Sequence, residues 1–204
     1  MVVGKRIIWR DGDFIVLRLR DDLFTVARME RQAEMCFFDI FQSHDDWNNV
    51  DWDSVLPIFH GFVGSVVLKR LGHRKLDVVG SILGVRPQDL WIKSYSIFDS
   101  GHFEGDVESF PMLGGRLIDL RGGMFDTYSA PVVKHDLKVL QDREQIERYE
   151  LVNMWGDLDL ADRLVRYHET GVNRDDLKFE VFPGLWDDRE QLRPLTRRLP
   201  VPFR

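Results

Sequence analysis

Four aspartates and two tryptophans share one short polar segment, SHDDWNNVDWDS, running from Ser43 to Ser54: Asp45, Asp46, Asp51 and Asp53 beside Trp47 and Trp52. Carboxylates crowded in this way favour a cationic partner, because opposite charge raises encounter rates and penalises wrong partners. Tryptophan in an otherwise polar segment does one of two things: it tucks back and anchors the loop, or it stands out as a buried contact in a complex. Both readings stay open for Trp47 and Trp52. His44, next to Asp45 and Asp46, adds a third candidate ligand for a metal ion, but three adjacent loop residues rarely converge on one ion.

Other residues that could carry catalysis give no local signature. The histidines at 44, 60, 73, 102, 135 and 168 form neither a His-x-x-x-His pair nor HExxH, so no helical zinc site is written in the chain. Cys36, the single cysteine, lies in the apolar run EMCFFDIF, where burial raises the thiol pKa and makes it inert. Gly64 and Ser65 are followed by Val66 and Val67 and make no GxSxG elbow. The glycines at 114, 115, 122 and 123 match neither a phosphate loop nor a dinucleotide fingerprint. The expectation is a protein that is not an enzyme and needs no cofactor or metal.

Charge sharpens the first observation. The 204 residues carry a formal charge of -6. From Gln32 to Leu68 there is no Lys or Arg, and Glu34, Asp39, Asp45, Asp46, Asp51 and Asp53 supply six negative charges. The rest of the chain is neutral in sum, so the whole excess sits in that stretch. Near the end the sign reverses, with Arg189, Arg193, Arg197, Arg198 and Arg204 against Glu190. A broad basic face for nucleic-acid backbones is missing.

The elements that must position these residues read as strands first. Asp13 to Arg20 and Leu23 to Glu30 alternate apolar and polar positions around a two-residue link, Asp21-Asp22, the length of a tight hairpin. Glu34 to Phe41 is a third, more buried strand. Ile58 to Leu71 is apolar and β-branched enough for a long central strand, with Gly61 and Gly64 marking a bulge or bend. Lys75 to Leu83, Asp89 to Phe98 and the stretch around Arg116 to Leu120 continue the strand pattern. Helices come late: Asp142 to Met154, then a cleaner one capped by Asp157, with Leu158, Leu160, Ala161, Leu164, Val165 and His168 at helical spacing and Gly171 just past its end. Leu177 to Phe182 reads as a closing strand. The fold class is therefore α+β: a mostly antiparallel, strongly curled sheet, SH3-like or a half-barrel, with two late helices packed on it. One domain is expected over residues 1–182, followed by a Pro- and Arg-rich tail over 183–204.

GDFIVLRLRDDLFTVARM (Gly12 to Met29), FFDIF (Phe37 to Phe41) and YELVNMWGDLDLADRLVRYHETG (Tyr149 to Gly171) together resemble the immunity-protein-26 family of bacterial polymorphic-toxin systems. The likeness covers about the first hundred residues and the late helical block. Its matched residues are of the fold-forming kind: Gly12 for a turn, Asp13 near backbone amides, Arg28 at a strand end. It implies a non-enzymatic protein that binds and neutralises a co-encoded toxin, and it carries over no binding residue.

Charge and resemblance lead to one expectation. The chain is expected to be an immunity protein whose acidic surface occludes the active cleft of a cognate toxin, with a basic nuclease as the toxin class that fits. Asp45, Asp46, Trp47, Asp51, Trp52 and Asp53 would be its partner-binding residues. No direct nucleic-acid or membrane contact is expected. No apolar run approaches the ~20 residues of a membrane span, and Arg10, Asp11 and Asp13 interrupt any signal-peptide core, so a cytoplasmic location is expected. Two other classes compete: a scaffold or signalling module with an SH3-like barrel, and a small hydrolase using carboxylates with His44, His60 or His102.

Overall fold

A computed structural model describes residues 7–78, 88–96, 113–121 and 127–188. In chain order the elements are β1 (Phe14–Arg20), β2 (Leu23–Met29), β3 (Glu34–Gln42), β4 (Pro57–Val63), α1 (Ser65–Arg70), β5 (Gly72–Leu76), β6 (Leu90–Ser94), β7 (Gly115–Asp119) and β8 (Val132–Lys134). They continue with α2 (Val139–Arg148), β9 (Met154–Trp155), α3 (Asp157–Thr170) and α4 (Leu177–Val181). The class is α+β, with a curled and mostly antiparallel sheet of six strands. Two compact units partition the chain: Met1–Pro87 with Met154–Asn173, and Gln88–Asn153 with Arg174–Arg204.

The first unit holds the sheet β5-β1-β2-β3-β4-β9, antiparallel except for the β4–β9 pair. Asp21 and Asp22 make the tight link between β1 and β2. Gly12, at φ +87°, turns the chain into the hairpin and donates its N–H to the Met29 carbonyl at 2.7 Å. Register shifts interrupt β1/β2, β1/β5, β2/β3 and β3/β4. Each extra residue bends its strand and adds twist, which is how a short sheet curls.

Both faces of this sheet carry buried residues: β2 and β3 are apolar at consecutive positions, and the period-2 geometry of a strand sends neighbours to opposite sides. Ile15, Leu17, Ala27, Met29, Met35 and Phe37 point to one side and pack with Val67 of α1, Trp155 of β9, and Leu160 and Leu164 of α3. Val16, Val26, Cys36 and Phe38, the alternate positions, point to the other. Burying each large apolar side chain contributes about 1.5–3 kcal/mol, so covering the second face matters as much as covering the first.

The predicted strand Ile58 to Leu71 is in fact β4, a break at Gly64, and α1. Gly64 donates its N–H to the Trp155 carbonyl at 3.0 Å, ending the strand beside β9, and the next residues wind into a helix that buries Val67. Of the expected strand Lys75 to Leu83, Lys75 and Leu76 end β5, Asp77 and Val78 follow outside any strand, and residues 79–83 lie outside the described residues.

α3 matches its expected span, with one change at the start. Gly156, not Asp157, is the N-cap, and Asp157 and Asp159 fill the first turn, where carboxylates complement the helix dipole. Gly171 ends the helix in the left-handed conformation at φ +72°. Arg163, in the middle of α3, is buried with its guanidinium 3.6 Å above the Phe59 ring. It donates to Asn173 Oδ1 at 2.9 and 2.7 Å, while Asn173 Nδ2 donates to the Ile58 carbonyl.

The second unit is built on the antiparallel sheet β6-β7-β8, with Ile92, Leu117, Ile146, Leu151 and Val181 in its core. α2 begins three residues before the expected start and ends at Arg148, well short of Met154. The chain leaves the helix because it pairs instead with β6: the Ile92 N–H donates to the Glu150 carbonyl and the Val152 N–H to the Ile92 carbonyl, both at 2.8 Å. The predicted strand Leu177 to Phe182 is a helix, α4. Asp175 starts it, accepting the Leu177 and Lys178 N–H groups, and Leu177, Phe179 and Val181 are buried. Leu185 is also in this core, and residues 189–204 lie outside the described part. Among the described residues no helix is long and apolar enough to cross a membrane.

Candidate functional site

The acidic segment leaves the sheet at the end of β3 and returns at β4, so both of its ends are fixed by a paired strand. Between them it lies on the second sheet face. Trp47 and Trp52 are 5% and 7% exposed, and with Val55 they pack among Val16, Phe24, Val26, Cys36 and Phe38. The two indoles lie 6.3 Å apart, and Trp52 meets the Phe14 ring at 6.4 Å. The open alternative in the sequence is thereby decided at the level of geometry: both tryptophans anchor the loop.

Asp45 completes the attachment. Arg74, on β5, donates from Nε to Asp45 Oδ2 at 2.6 Å and from its terminal nitrogen to Oδ1 at 2.8 Å, a bidentate fork. Trp47 Nε1 donates to Oδ1 at 2.6 Å, and His73 Nε2 lies 3.3 Å from Oδ2. Burial alone would raise the Asp45 pKa; the hydrogen bonds from Arg74 and Trp47 outweigh it and hold the carboxyl below the ordinary aspartate value.

The other three aspartates face water. Asp46 accepts the Asn48 N–H at 3.1 Å and its side-chain amide at 2.8 Å, an Asx turn that shapes the loop. Asp51 carries a short 3-10 turn, Trp52–Ser54, and Asp53 stands on it. Asp46, Asp51 and Asp53 are all exposed, and no described Lys or Arg lies within salt-bridge range of them. Two shallow polar recesses flank Asp46. One, of about 330 Å³, is lined by Gln42, His44, Asp46, Asn49 and Val50; the other, of about 270 Å³, reaches across to Arg74 and Lys75.

The six predicted binding residues thus share one loop but divide by role. Asp45, Trp47 and Trp52 hold it, and Asp46, Asp51 and Asp53 are what it presents. His44, Asp45 and Asp46 turn to different partners: Ser43, Arg74 and Asn48. Among the described residues no three His, Cys, Asp or Glu side chains gather as a metal site. Cys36 is fully buried, and burial, with Glu30 and Glu34 nearby, pushes its thiol far up, as the sequence implied. His60 instead pairs with buried Glu34 at 3.0 Å.

No motif in the sequence assigns Arg74 and His73 to this site. Their one signal is position: His73-Arg74-Lys75 is part of the first basic run after the base-free stretch. The pairing of β5 with β1, which brings that run to the loop, leaves no trace in the spacing.

Residues 4–187 match the family model DUF8309, described as a domain of unknown function. No curated protein and no solved structure matches the chain.

Proposed function

We propose that this chain, which belongs to the DUF8309 family, is an immunity protein that binds a basic cognate toxin and covers its active cleft. The observation that carries this reading is the anchored acidic loop. Its carboxylates at Asp46, Asp51 and Asp53 are exposed on a segment whose ends are tied to strands and whose tryptophans are buried. A partner meets a pre-formed charged surface and loses little to loop ordering on binding. The resemblance of the first strands and the late helical block to immunity protein 26 points to the same role. A nuclease fits best, because its cleft is basic where phosphates bind, and carboxylates can occupy those positions.

The test is capture of the partner from the producing cell by the wild type, beside a variant with Asp46, Asp51 and Asp53 changed to Lys. Asp45 stays, since it supports the loop itself. A toxin polypeptide held by the wild type and lost by the folded variant is the expected result. Equal retention by both moves the interface away from the loop. Absence of any toxin from the wild-type capture, with toxins present in the lysate, removes the immunity reading.

A further inference from the structure

The loop that presents the carboxylates is also the cover of an apolar sheet face, and its attachments are few in kind. Its own backbone bonds are local: Asp46 N–H to the His44 carbonyl, Ser54 N–H to Asp51, Val55 N–H to Trp52. At its exit the Asp39 N–H donates to the Leu56 carbonyl at 2.8 Å. Across its length it is held by side chains, Trp47, Trp52 and Val55 inward and Asp45 sideways to Arg74. The sheet beneath is different. β1, β2, β3 and β4 are tied to one another by antiparallel ladders along their length, bulges apart, and packed on their far face by α1 and α3. Segments with local backbone bonds open at lower free energy than ladders do.

We propose that residues 43–56 form a strap latched by the Arg74–Asp45 pair, and that this strap opens as a unit while the sheet stays folded. Opening uncovers Val16, Val26 and Phe38 and moves the three exposed carboxylates with it. Arg74 is then a positioning residue. Its fork aligns Asp45, and Asp45 in turn receives the Trp47 indole N–H, so one guanidinium fixes both the charge and the anchor at the start of the strap. This inference is independent of which partner the protein binds.

Native-state hydrogen exchange on the full chain tests it, comparing the wild type with Arg74→Met, Arg74→Lys and Lys75→Met. Lys75 is the control: it is the next residue on β5, carries the same charge, and pairs with Asp13 rather than with the strap. In Arg74→Met the amides of Asp46, Ser54 and Val55 are expected to exchange about tenfold faster or more, with those of β2 and β3 unchanged. Arg74→Lys, which keeps the charge but loses the fork, falls between. An apolar fluorescent dye should bind Arg74→Met more than Lys75→Met. Four results overturn the latch: strap amides unmoved by Arg74→Met, β2 and β3 amides accelerated equally, an equal effect from Lys75→Met, or failure of both Arg74 variants to fold.

Discussion

Asp45 joins an ion pair, an indole hydrogen bond and a nearby imidazole within one half-buried carboxylate, so its titration reports on the attachment of the whole loop. Its folded pKa lies below the unfolded value of about 3.9. The folded state therefore gains stability from it above that value and loses the gain as pH falls through the depressed pKa. Urea unfolding of the wild type should show this loss on the acid side of about pH 4. In Asp45→Asn that part of the acid limb should disappear, and stability near neutral pH should drop by about 1 kcal/mol. An unchanged acid limb in the variant would assign it to other carboxylates, such as Asp142, whose pKa is also lowered: its own burial opposes the shift, but hydrogen bonds from Lys134 and the Lys138 N–H prevail. A second residue-scale effect lies in the β2–β3 connection. Gln32 and Ala33 occupy the left-handed region at φ +52° and +69°, a conformation that costs a side chain about 1 kcal/mol relative to glycine. Ala33→Gly should raise the urea midpoint with the slope unchanged, a stability gain of up to about 1 kcal/mol. A lower midpoint would mean that the methyl contributes more by packing than the backbone loses.

Gly72 shows the same physics at the scale of an element. It opens β5 directly after α1, and a β-carbon there would overlap the Leu68 carbonyl oxygen and crowd Ile15 Cδ1 at 3.2 Å. Gly72→Ala must shift backbone and should cost about 2–3 kcal/mol, read as a lower thermal midpoint. A neutral outcome would show that α1 and β5 move apart freely. The hairpin, β3 and α3 were legible in the sequence because each carries a period and an end signal: Asp21-Asp22, the EMCFFDIF alternation, Gly171. The stretch from Ile58 to Leu71 was not, since Val66, Val67 and Leu68 suit a buried strand and a buried helix turn equally well. Only the approach of Trp155 to Gly64 decides between them. LKFEVF is ambiguous in the same way, being one helix turn and a half or a short strand, until Asp175 receives its first amides. For the loop, composition located the segment, but the split between anchoring and presented residues depends on a sheet face two strands away. Trp52→Ala should expose that dependence. It removes contact with Phe14 and Trp47 and should cost about 3–5 kcal/mol if the cover is part of the core. A cost below about 1 kcal/mol would make the tryptophan a surface ornament of the loop.

Across the whole molecule, the net charge of -6 equals the acid excess of one stretch of the sequence. Outside Gln32 to Leu68 acids and bases cancel, and within it Glu34 is buried beside His60 and Asp45 is neutralised by Arg74. What remains exposed near the strap is Asp46, Asp51 and Asp53, with Asp39 further along β3. Net charge and local charge make different predictions for association with a basic partner. If only the total of -6 mattered, any three acid-to-lysine changes would slow association alike. If the strap steers, position decides. The comparison is therefore between Lys at Asp46, Asp51 and Asp53 and Lys at the exposed positions Asp21, Asp22 and Glu144, which changes the net charge by the same amount. With the captured partner, stopped-flow association at low salt should fall about tenfold or more for the strap variant and far less for the control. Raising the salt should erase most of that gap, because exposed charges beyond about 10 Å are screened at 0.1 M. Equal slowing by both variants would assign the effect to net charge and leave the strap a structural cover without a steering role.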